Sequence, residues 1–246
     1  MPHFPCEEAV MENLLVGNRL FAVLALFLVG FAVDITFIVV ESKGKMRPAV
    51  FLKGGASLFF VALACFGIAV TGSSPYKWLV AAGALLGVGG DVFLNLRYLL
   101  DERRQNGVFA IGIGSFLAGH VAYVIALALD DGFALLIAAP VALCVFLPVY
   151  FASRKLLAVP REIYPFGLFY IYCVILMFTL SAVTLCRAPG ELHRVFAPGA
   201  LCFMVSDLIL CYQLFGRKKY AVLRPLLLVL YYFGQMMICL TPLIAG

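Results

Sequence analysis

The feature that most limits the fold is a series of eight apolar segments, each roughly 20 residues long. An α-helix of this length crosses the hydrocarbon core of a bilayer with its backbone hydrogen bonds satisfied internally. Hydrophobic residues make up 64% of the chain and charged residues only 13%, whereas soluble domains are about one quarter charged. The sequence therefore predicts an all-α polytopic membrane protein with eight transmembrane helices, and it excludes an ordinary soluble fold.

The predicted spans leave no room for a soluble domain, so we expect a single transmembrane domain over residues 1–246. They cover residues 20–40, 50–71, 77–96, 108–129, 133–151, 164–186, 196–215 and 225–244. Short segments with turn formers or basic residues connect them. The first span follows acidic residues, Glu7, Glu8 and Glu12, and is too long for a secretory signal. We expect it to be a retained helix.

Basic residues are concentrated in alternate connections, which predicts the orientation of the chain. The four odd-numbered loops hold 13 of the 18 Lys and Arg residues. Cytoplasmic loops retain positive charge, so we expect both termini to face away from the cytoplasm, in a bacterial cytoplasmic membrane or a eukaryotic endoplasmic reticulum. The same loops account for the net charge of +5. Anionic membrane lipids are thus the expected partners, with no nucleic acid, and the oligomeric state is not predicted.

The eight cysteines are scattered and mostly lie within apolar segments. None is part of a Cys-x-x-Cys pair. Cysteines in this arrangement behave as small hydrophobic residues rather than as metal ligands or disulfide partners. We therefore expect no metal site and no cofactor.

A carboxylate interrupts the third apolar segment, in "GALLGVGGDVFLNL". Asp91 in this stretch aligns without gaps to Asp207 in "GALCFMVSDLIL", at an offset of 116 residues. One span later, His120 aligns with Gln235. This similarity predicts two parallel four-helix repeats, residues 20–129 and 133–244, related by an axis along the membrane normal. The alternative is that small-residue membrane helices resemble one another by chance.

Buried carboxylates are costly in lipid and usually have a partner or a function. Asp91 and Asp207 both fall in the half of the membrane next to the basic loops. If the third and seventh helices face each other, we expect one cavity open to the basic side and lined by Asp91, His120, Asp207, Tyr231 and Gln235. Asp34 could instead approach the interface or pair with Lys53. Lys53 itself could snorkel to the headgroups.

Four motifs occur in order on the third, fourth, seventh and eighth spans: "GGDVFL", "GSFLAGHVAYV", "GALCFMVSDLIL" and "YYFGQMMI". Together they resemble the YhhN-like lysoplasmalogenase family of eight-helix membrane proteins, from about Lys53 onward. The resemblance implies a polar site set composed of Asp91, His120, Tyr123, Ser206, Asp207, Tyr231 and Gln235. Lys53 in "FLKGGAS" matches less closely, because the family usually has proline where this chain has Gly54.

The resemblance implies hydrolysis of the vinyl-ether bond of a lysophospholipid, with Asp91 and Asp207 as the catalytic pair. Vinyl-ether hydrolysis requires a proton donor, an anion near the developing oxocarbenium ion and a base for water. Two carboxylates in different environments can supply these functions, as in glycosidases. The other polar residues could position water or substrate, and Lys53 or a loop arginine could bind the phosphate.

Other classes of membrane protein also use buried aspartates. A proton-coupled transporter with a parallel repeat would retain them. An intramembrane aspartyl protease would as well, although its usual Gly-x-Gly-Asp motif is interrupted by Val88. A lipid-binding or regulatory membrane protein is a further alternative.

Overall fold

The computed structural model describes the backbone of residues 5–245 and the side chains of residues 17–245. Cys6 and the acidic residues before the first span therefore lie outside the described side chains. The helices within the described range are α1 (Pro5–Ser42), α2 (Met46–Thr71), α3 (Pro75–Leu96), α4 (Glu102–Asp130), α5 (Gly132–Leu156), α6 (Tyr164–Arg187), α7 (Glu191–Phe215) and α8 (Leu223–Ile244). Each of these eight includes a stretch long and apolar enough to cross a membrane. The predicted fold class is confirmed.

Several helices extend beyond the predicted spans. Helix α4 begins at Glu102 rather than near residue 108, α5 ends at Leu156 rather than near 151, and α7 begins at Glu191 rather than near 196. Hydropathy marks the hydrocarbon core, but helical hydrogen bonding continues into the polar region. The added turns carry suitable charges, acidic in the first turns of α4 and α7 and basic, Arg154 and Lys155, in the last turn of α5.

Two of the short connections, "TGSSPYK" and "DDG", contain residues whose side chains cap the helix that follows. Ser74 Oγ accepts a hydrogen bond from the Lys77 amide at 3.3 Å, and Pro75 occupies the first turn of α3. Asp131 Oδ1 accepts from the Ala134 amide at 3.1 Å and caps α5. These caps satisfy amide donors that a helix leaves free at its start.

The helices pack as two groups of four, with α3 against α4 in one and α7 against α8 in the other. Both pairs cross at glycines. A Cβ on Gly119 would lie 3.0 Å from the Gly83 carbonyl oxygen, and a Cβ on Gly234 would lie 2.7 Å from that of Gly199. The groups meet through α2 against α8 and α4 against α6. If the two halves are repeats, α3–α4 is equivalent to α7–α8 and α2–α8 is equivalent to α6–α4, and all four pairs are in contact. The repeat itself stays a prediction.

We call the side of the bundle with the α1–α2, α3–α4, α5–α6 and α7–α8 connections the basic face. On this face Arg224 of α8 forms two hydrogen bonds with Glu41 at the end of α1, at 2.6 and 3.0 Å. An isolated antiparallel bridge between Leu157 and Gly216 joins the α5–α6 and α7–α8 connections. The four basic connections therefore lie on one side, with the buried aspartates beneath them.

Candidate active site

Asp91 lies in the middle of a buried polar cluster formed by α2, α3 and α8. Its side chain is almost completely inaccessible. The Lys53 ammonium lies 3.3 Å from Oδ1. Ser57 donates to Oδ2, and Tyr231 donates to the same oxygen at 2.8 Å. One cation and two hydroxyl donors thus surround the carboxylate and interact favourably with its negative charge.

Aromatic rings surround the Lys53 ammonium. Its Nζ lies 4.4 Å from the centroid of Tyr232, 4.7 Å from that of Tyr231 and 5.1 Å from that of Phe37. Such contacts stabilise a desolvated cation. Lys53 is 3% exposed, so the suggestion that it snorkels to the headgroups is wrong.

Asp34 differs from the sequence-based expectation in both position and pairing. Its side chain is fully buried rather than interfacial, and neither carboxylate oxygen has a hydrogen-bond partner among the described residues. Lys53 forms its ion pair with Asp91 instead. The positions of Asp34, Lys53 and Asp91 in the sequence do not determine which of the two carboxylates the Lys53 side chain reaches.

Asp207 forms a second cluster with residues from α4 and α6. Its Oδ2 atom accepts a hydrogen bond from the Tyr170 hydroxyl at 2.8 Å and lies 3.1 Å from His120 Nε2. His120 Nε2 is also 3.2 Å from the Tyr170 hydroxyl oxygen. Among the described residues, no Lys or Arg forms a salt bridge with Asp207. The two aspartates therefore have different electrostatic environments.

Both carboxylates line one small cavity, as expected. Its volume is about 40 Å³, enough for a few water molecules at roughly 10–15 Å³ of probe-occupied space each. Tyr231 also lines it, and Arg97 and Arg224 contribute from the basic face. The expectation that His120 and Gln235 would line this cavity is wrong, because His120 lies behind Asp207 and the Gln235 side chain is held elsewhere.

The remaining residues of the predicted set stabilise the helix packing around the clusters. The Tyr123 hydroxyl donates to Gln235 Oε1 at 2.8 Å, which links α4 to α8. Ser206 donates to the Leu227 carbonyl oxygen at 2.8 Å and links α7 to α8. All three side chains are buried. Neither bond involves Asp91 or Asp207, although Ser206 also lines the small cavity.

Sequence reasoning missed two residues that donate directly to the aspartates, Ser57 and Tyr170. Ser57 follows Lys53 by one helical turn, so it shares the same face of α2 and could have been found by spacing. Tyr170 lies in "FYIYCV" among several aromatic residues of α6. Nothing in that segment distinguishes it from its neighbours, and only the packing of α6 against α4 and α7 identifies it.

No group of three His, Cys, Asp or Glu side chains within the described range is arranged to hold a metal ion. The cysteines whose side chains are described are free thiols. That the site needs no cofactor stays a prediction. The chemistry available from the residues present is proton transfer and charge stabilisation by two carboxylates, a histidine and several hydroxyl groups.

Comparison with known proteins supports the resemblance noted in the sequence. The model of the YhhN family matches residues 49–241, which covers most of the chain and includes both aspartates. Comparisons with curated proteins and with solved structures find no match. The matched range extends from α2 to α8 and contains every residue of the two polar clusters. The chain belongs to the YhhN family.

Proposed function

We propose that this protein hydrolyses the vinyl-ether bond of a lysoplasmalogen and releases a fatty aldehyde and a glycerophospho-base. The observation that carries the proposal is a pair of buried carboxylates on one cavity, with an ammonium beside one and a histidine beside the other. Membership of the YhhN family is consistent with this activity. An acid and a base in different environments are what the reaction requires.

The reaction proceeds through protonation of carbon. A proton is added to the vinyl carbon on the chain side, and the carbon bonded to oxygen becomes an oxocarbenium centre. Water adds to that centre and loses a proton, which gives a hemiacetal. The hemiacetal then collapses: its hydroxyl group loses a proton, the bond to the glycerol oxygen breaks, that oxygen takes up a proton, and the aldehyde leaves.

Asp207 is the proton donor in this proposal. It has no Lys or Arg salt-bridge partner among the described residues, and it contacts His120, which can return a proton to it between turnovers. It also lines a second, larger and mainly apolar cavity. The carbon to be protonated lies on the hydrocarbon side of the vinyl ether, so a donor at the edge of an apolar space is correctly placed for it.

Asp91 is the anion that stabilises the oxocarbenium ion and accepts the proton of water. The Lys53 ammonium at 3.3 Å balances the negative charge of this carboxylate. The cavity beside it has room for the attacking water. Preorganised charge of this kind lowers the barrier because it requires no rearrangement as the transition state forms.

The direct test is to incubate the purified protein with a lysoplasmalogen and, separately, with its saturated-ether analogue, and to measure aldehyde. The saturated ether lacks the double bond that must be protonated. We expect aldehyde from the vinyl ether alone. No aldehyde from either lipid, with a folded protein, would contradict the proposal.

Proton-coupled transport is the second candidate, and the pairing of buried aspartates with Lys53 and His120 is the observation that favours it. The two functions differ in their requirement for sealed compartments. A transporter accumulates substrate inside vesicles and produces no aldehyde, whereas a hydrolase releases aldehyde in detergent. Measuring both with the same preparation distinguishes them.

A further inference from the structure

A large cavity lies between α4, α5, α6 and α7, beside the Asp207 cluster. Its volume is about 1100 Å³, slightly above the ~300–1,000 Å³ typical of small-molecule sites. Most of its wall is apolar, with side chains that include Phe109, Ile113, Phe146, Val149, Ile171 and Leu210. A space of this size and lining suits a hydrocarbon chain rather than a polar solute.

Three charged residues, Arg97, Glu162 and Asp207, line this cavity together with uncharged polar side chains that include Gln105, Asn106 and Ser153. Asp207 and Tyr170 belong to the buried cluster, whereas Arg97 lies at the basic face. Arg97 and Asp207 line both this cavity and the small one. The two cavities therefore adjoin, and a hydrocarbon chain in the large cavity reaches Asp207 directly, whereas Asp91 faces the small cavity alone.

Arg97 is prepared to bind an anion. Its guanidinium carbon lies 4.7 Å from the centroid of the Tyr98 ring and 4.8 Å from that of Phe109, and the group donates to the Tyr98 hydroxyl at 2.7 Å. It forms no salt bridge with any described carboxylate, whereas Arg224 on the same small cavity is paired with Glu41. A guanidinium held by rings but not neutralised is suited to bidentate phosphate binding.

The spacing of Arg97 and Asp91 along the chain matches a lysolipid. Arg97 follows Asp91 by six residues, which is roughly 9 Å at 1.5 Å per residue. The glycerol, the ether oxygen and the vinyl group of an extended lysoplasmalogen cover a comparable length from the phosphate. A phosphate at Arg97 therefore brings the vinyl ether to the level of the carboxylates.

We propose that the large cavity binds the hydrocarbon chain of a single-chain glycerophospholipid while Arg97 binds its phosphate. This assignment builds on the proposed function, because it places the lipid with its vinyl ether at Asp91 and Asp207. It makes Arg97 and the walls of α4 and α6 the determinants of substrate binding. The chemical class of ligand is an amphiphile with one chain and one phosphate.

Glycines of the cavity wall allow a matched test of the chain site. A Cβ added at Gly114 or Gly167 meets no atom within 4 Å, and both residues line the cavity. Gly55, on α2, has equally open space and lines neither cavity. Phenylalanine at Gly114 or Gly167 would occupy the space of the hydrocarbon chain, whereas phenylalanine at Gly55 would lie on a helix that is not part of the cavity wall.

The probe is a saturated hexadecyl-ether lysophosphatidylcholine, which binds without being cleaved, measured at equilibrium with the protein in nanodiscs. We expect Gly114→Phe and Gly167→Phe to weaken binding by about tenfold or more and Gly55→Phe to leave it unchanged. Thermal unfolding identifies any variant that fails to fold, and the two wall variants on different helices act as checks on each other. Wild-type binding by a folded wall variant would overturn the chain site.

The phosphate contact is tested with the same lipid and with hexadecylglycerol, which has the chain but no phosphate. Arg97→Gln is expected to weaken binding of the phospholipid by about 10- to 100-fold, as expected for lost hydrogen bonds to a charged group. It should leave hexadecylglycerol binding unchanged. Arg103→Gln, an exposed arginine outside both cavity walls, is the control. Equal effects of Arg97→Gln on both ligands, or of both variants on the phospholipid, would overturn the assignment.

The lipid-binding experiments can fail independently of the test for aldehyde release. If the protein binds the saturated ether in this cavity but releases no aldehyde from the vinyl ether, the proposed lipid site is supported and the proposed activity is wrong. If a variant with phenylalanine in the large cavity releases aldehyde at the wild-type rate, the proposed activity is supported and the proposed lipid site is wrong. Glycerophosphocholine, which has the phosphate but no chain, should bind far more weakly than the lipid, and tight binding of it would overturn the role of the chain.

Discussion

The Asp91 carboxylate and the Lys53 ammonium occupy a region where either charge alone would be surrounded by apolar groups. Removing one partner of a buried ion pair typically costs about 3–5 kcal/mol, because the other charge remains without compensation. We expect Lys53→Met to lower the free energy of unfolding by an amount of this order. The double variant Lys53→Met with Asp91→Asn should recover part of the loss, because no buried charge is left.

Thermal unfolding of the wild type, both single variants and the double variant in one detergent measures this coupling. The predicted order of stability places the double variant above Lys53→Met. A double variant no more stable than Lys53→Met would mean that the 3.3 Å contact does not stabilise the fold as an ion pair.

Asp34 gives the opposite prediction, since its carboxylate oxygens have no hydrogen-bond partner among the described residues. Asp34→Asn removes a buried ionisable group without breaking a described hydrogen bond. We expect an unfolding temperature at or above that of the wild type. The same substitution at Asp91 loses the contacts of Lys53, Ser57 and Tyr231 and should be more destabilising. An equal loss at Asp34 would contradict the description of its surroundings.

The two aspartates, His120 and Tyr231 could be predicted from the sequence because ionisable and polar groups are rare in apolar helices. Their pairing could not. Hydropathy does not specify the rotation of one helix against another, so Lys53 could be assigned to Asp34 as readily as to Asp91. Ser57 and Tyr170 were missed because serine and tyrosine are ordinary residues in membrane helices. Arg97 was indistinguishable from the other loop arginines until its position on both cavities was known.

At the scale of the helices, the sequence predicted their number well and their ends less well. The ends of α4, α5 and α7 extend past the hydrocarbon region, where hydropathy no longer marks them. Close helix crossings are equally difficult to predict, because glycine is common throughout this chain. Gly119 and Gly234 are special only through the carbonyl groups that face them.

Those crossings lead to a prediction about packing. Gly234→Ala would place a Cβ 2.7 Å from the Gly199 carbonyl oxygen and force α7 and α8 apart. We expect a loss of about 1–3 kcal/mol in the free energy of unfolding, as for other overpacked positions. At Gly107, where a Cβ meets nothing within 4 Å, alanine should instead stabilise α4 by up to about 1 kcal/mol.

Thermal unfolding of the two alanine variants compares them directly, because the substitution is the same and only the facing backbone differs. A Gly234→Ala protein as stable as Gly107→Ala would show that α7 and α8 do not approach each other this closely.

At the scale of the whole molecule, the distribution of charge predicts which side of the membrane the site faces. With 13 of 18 basic residues in the connections of one face, we expect that face to be cytoplasmic. In a variant without native cysteines, an impermeant maleimide added outside intact cells should label Arg194→Cys. It should label Lys218→Cys only after permeabilisation. Both positions are exposed, so accessibility does not favour either.

The reverse labelling pattern would place the basic face outside the cytoplasm. Arg97 and the entrance to the site would then face the outer leaflet, and the lipid substrate would have to come from there. The internal chemistry of the two clusters would be unchanged, so this measurement tests orientation alone.

The central claim is that Asp91 and Asp207 together cleave a vinyl ether, and a control carboxylate is available on the opposite face. Asp131 lies in the α4–α5 connection, where the Arg187 guanidinium holds the pKa of its carboxyl below its usual value. Asp131→Asn removes a carboxylate of the same size far from the cavity. Asparagine retains the shape of aspartate but cannot transfer the proton or balance the oxocarbenium charge.

The measurement is the rate of aldehyde release from a lysoplasmalogen by the wild type, Asp91→Asn, Asp207→Asn and Asp131→Asn, with thermal unfolding recorded for each. We predict that both cavity variants remain folded and lose about 10²- to 10⁴-fold in rate, the usual contribution of a general acid or base, while Asp131→Asn retains the wild-type rate. A folded Asp207→Asn or Asp91→Asn protein that releases aldehyde at the wild-type rate would contradict the account.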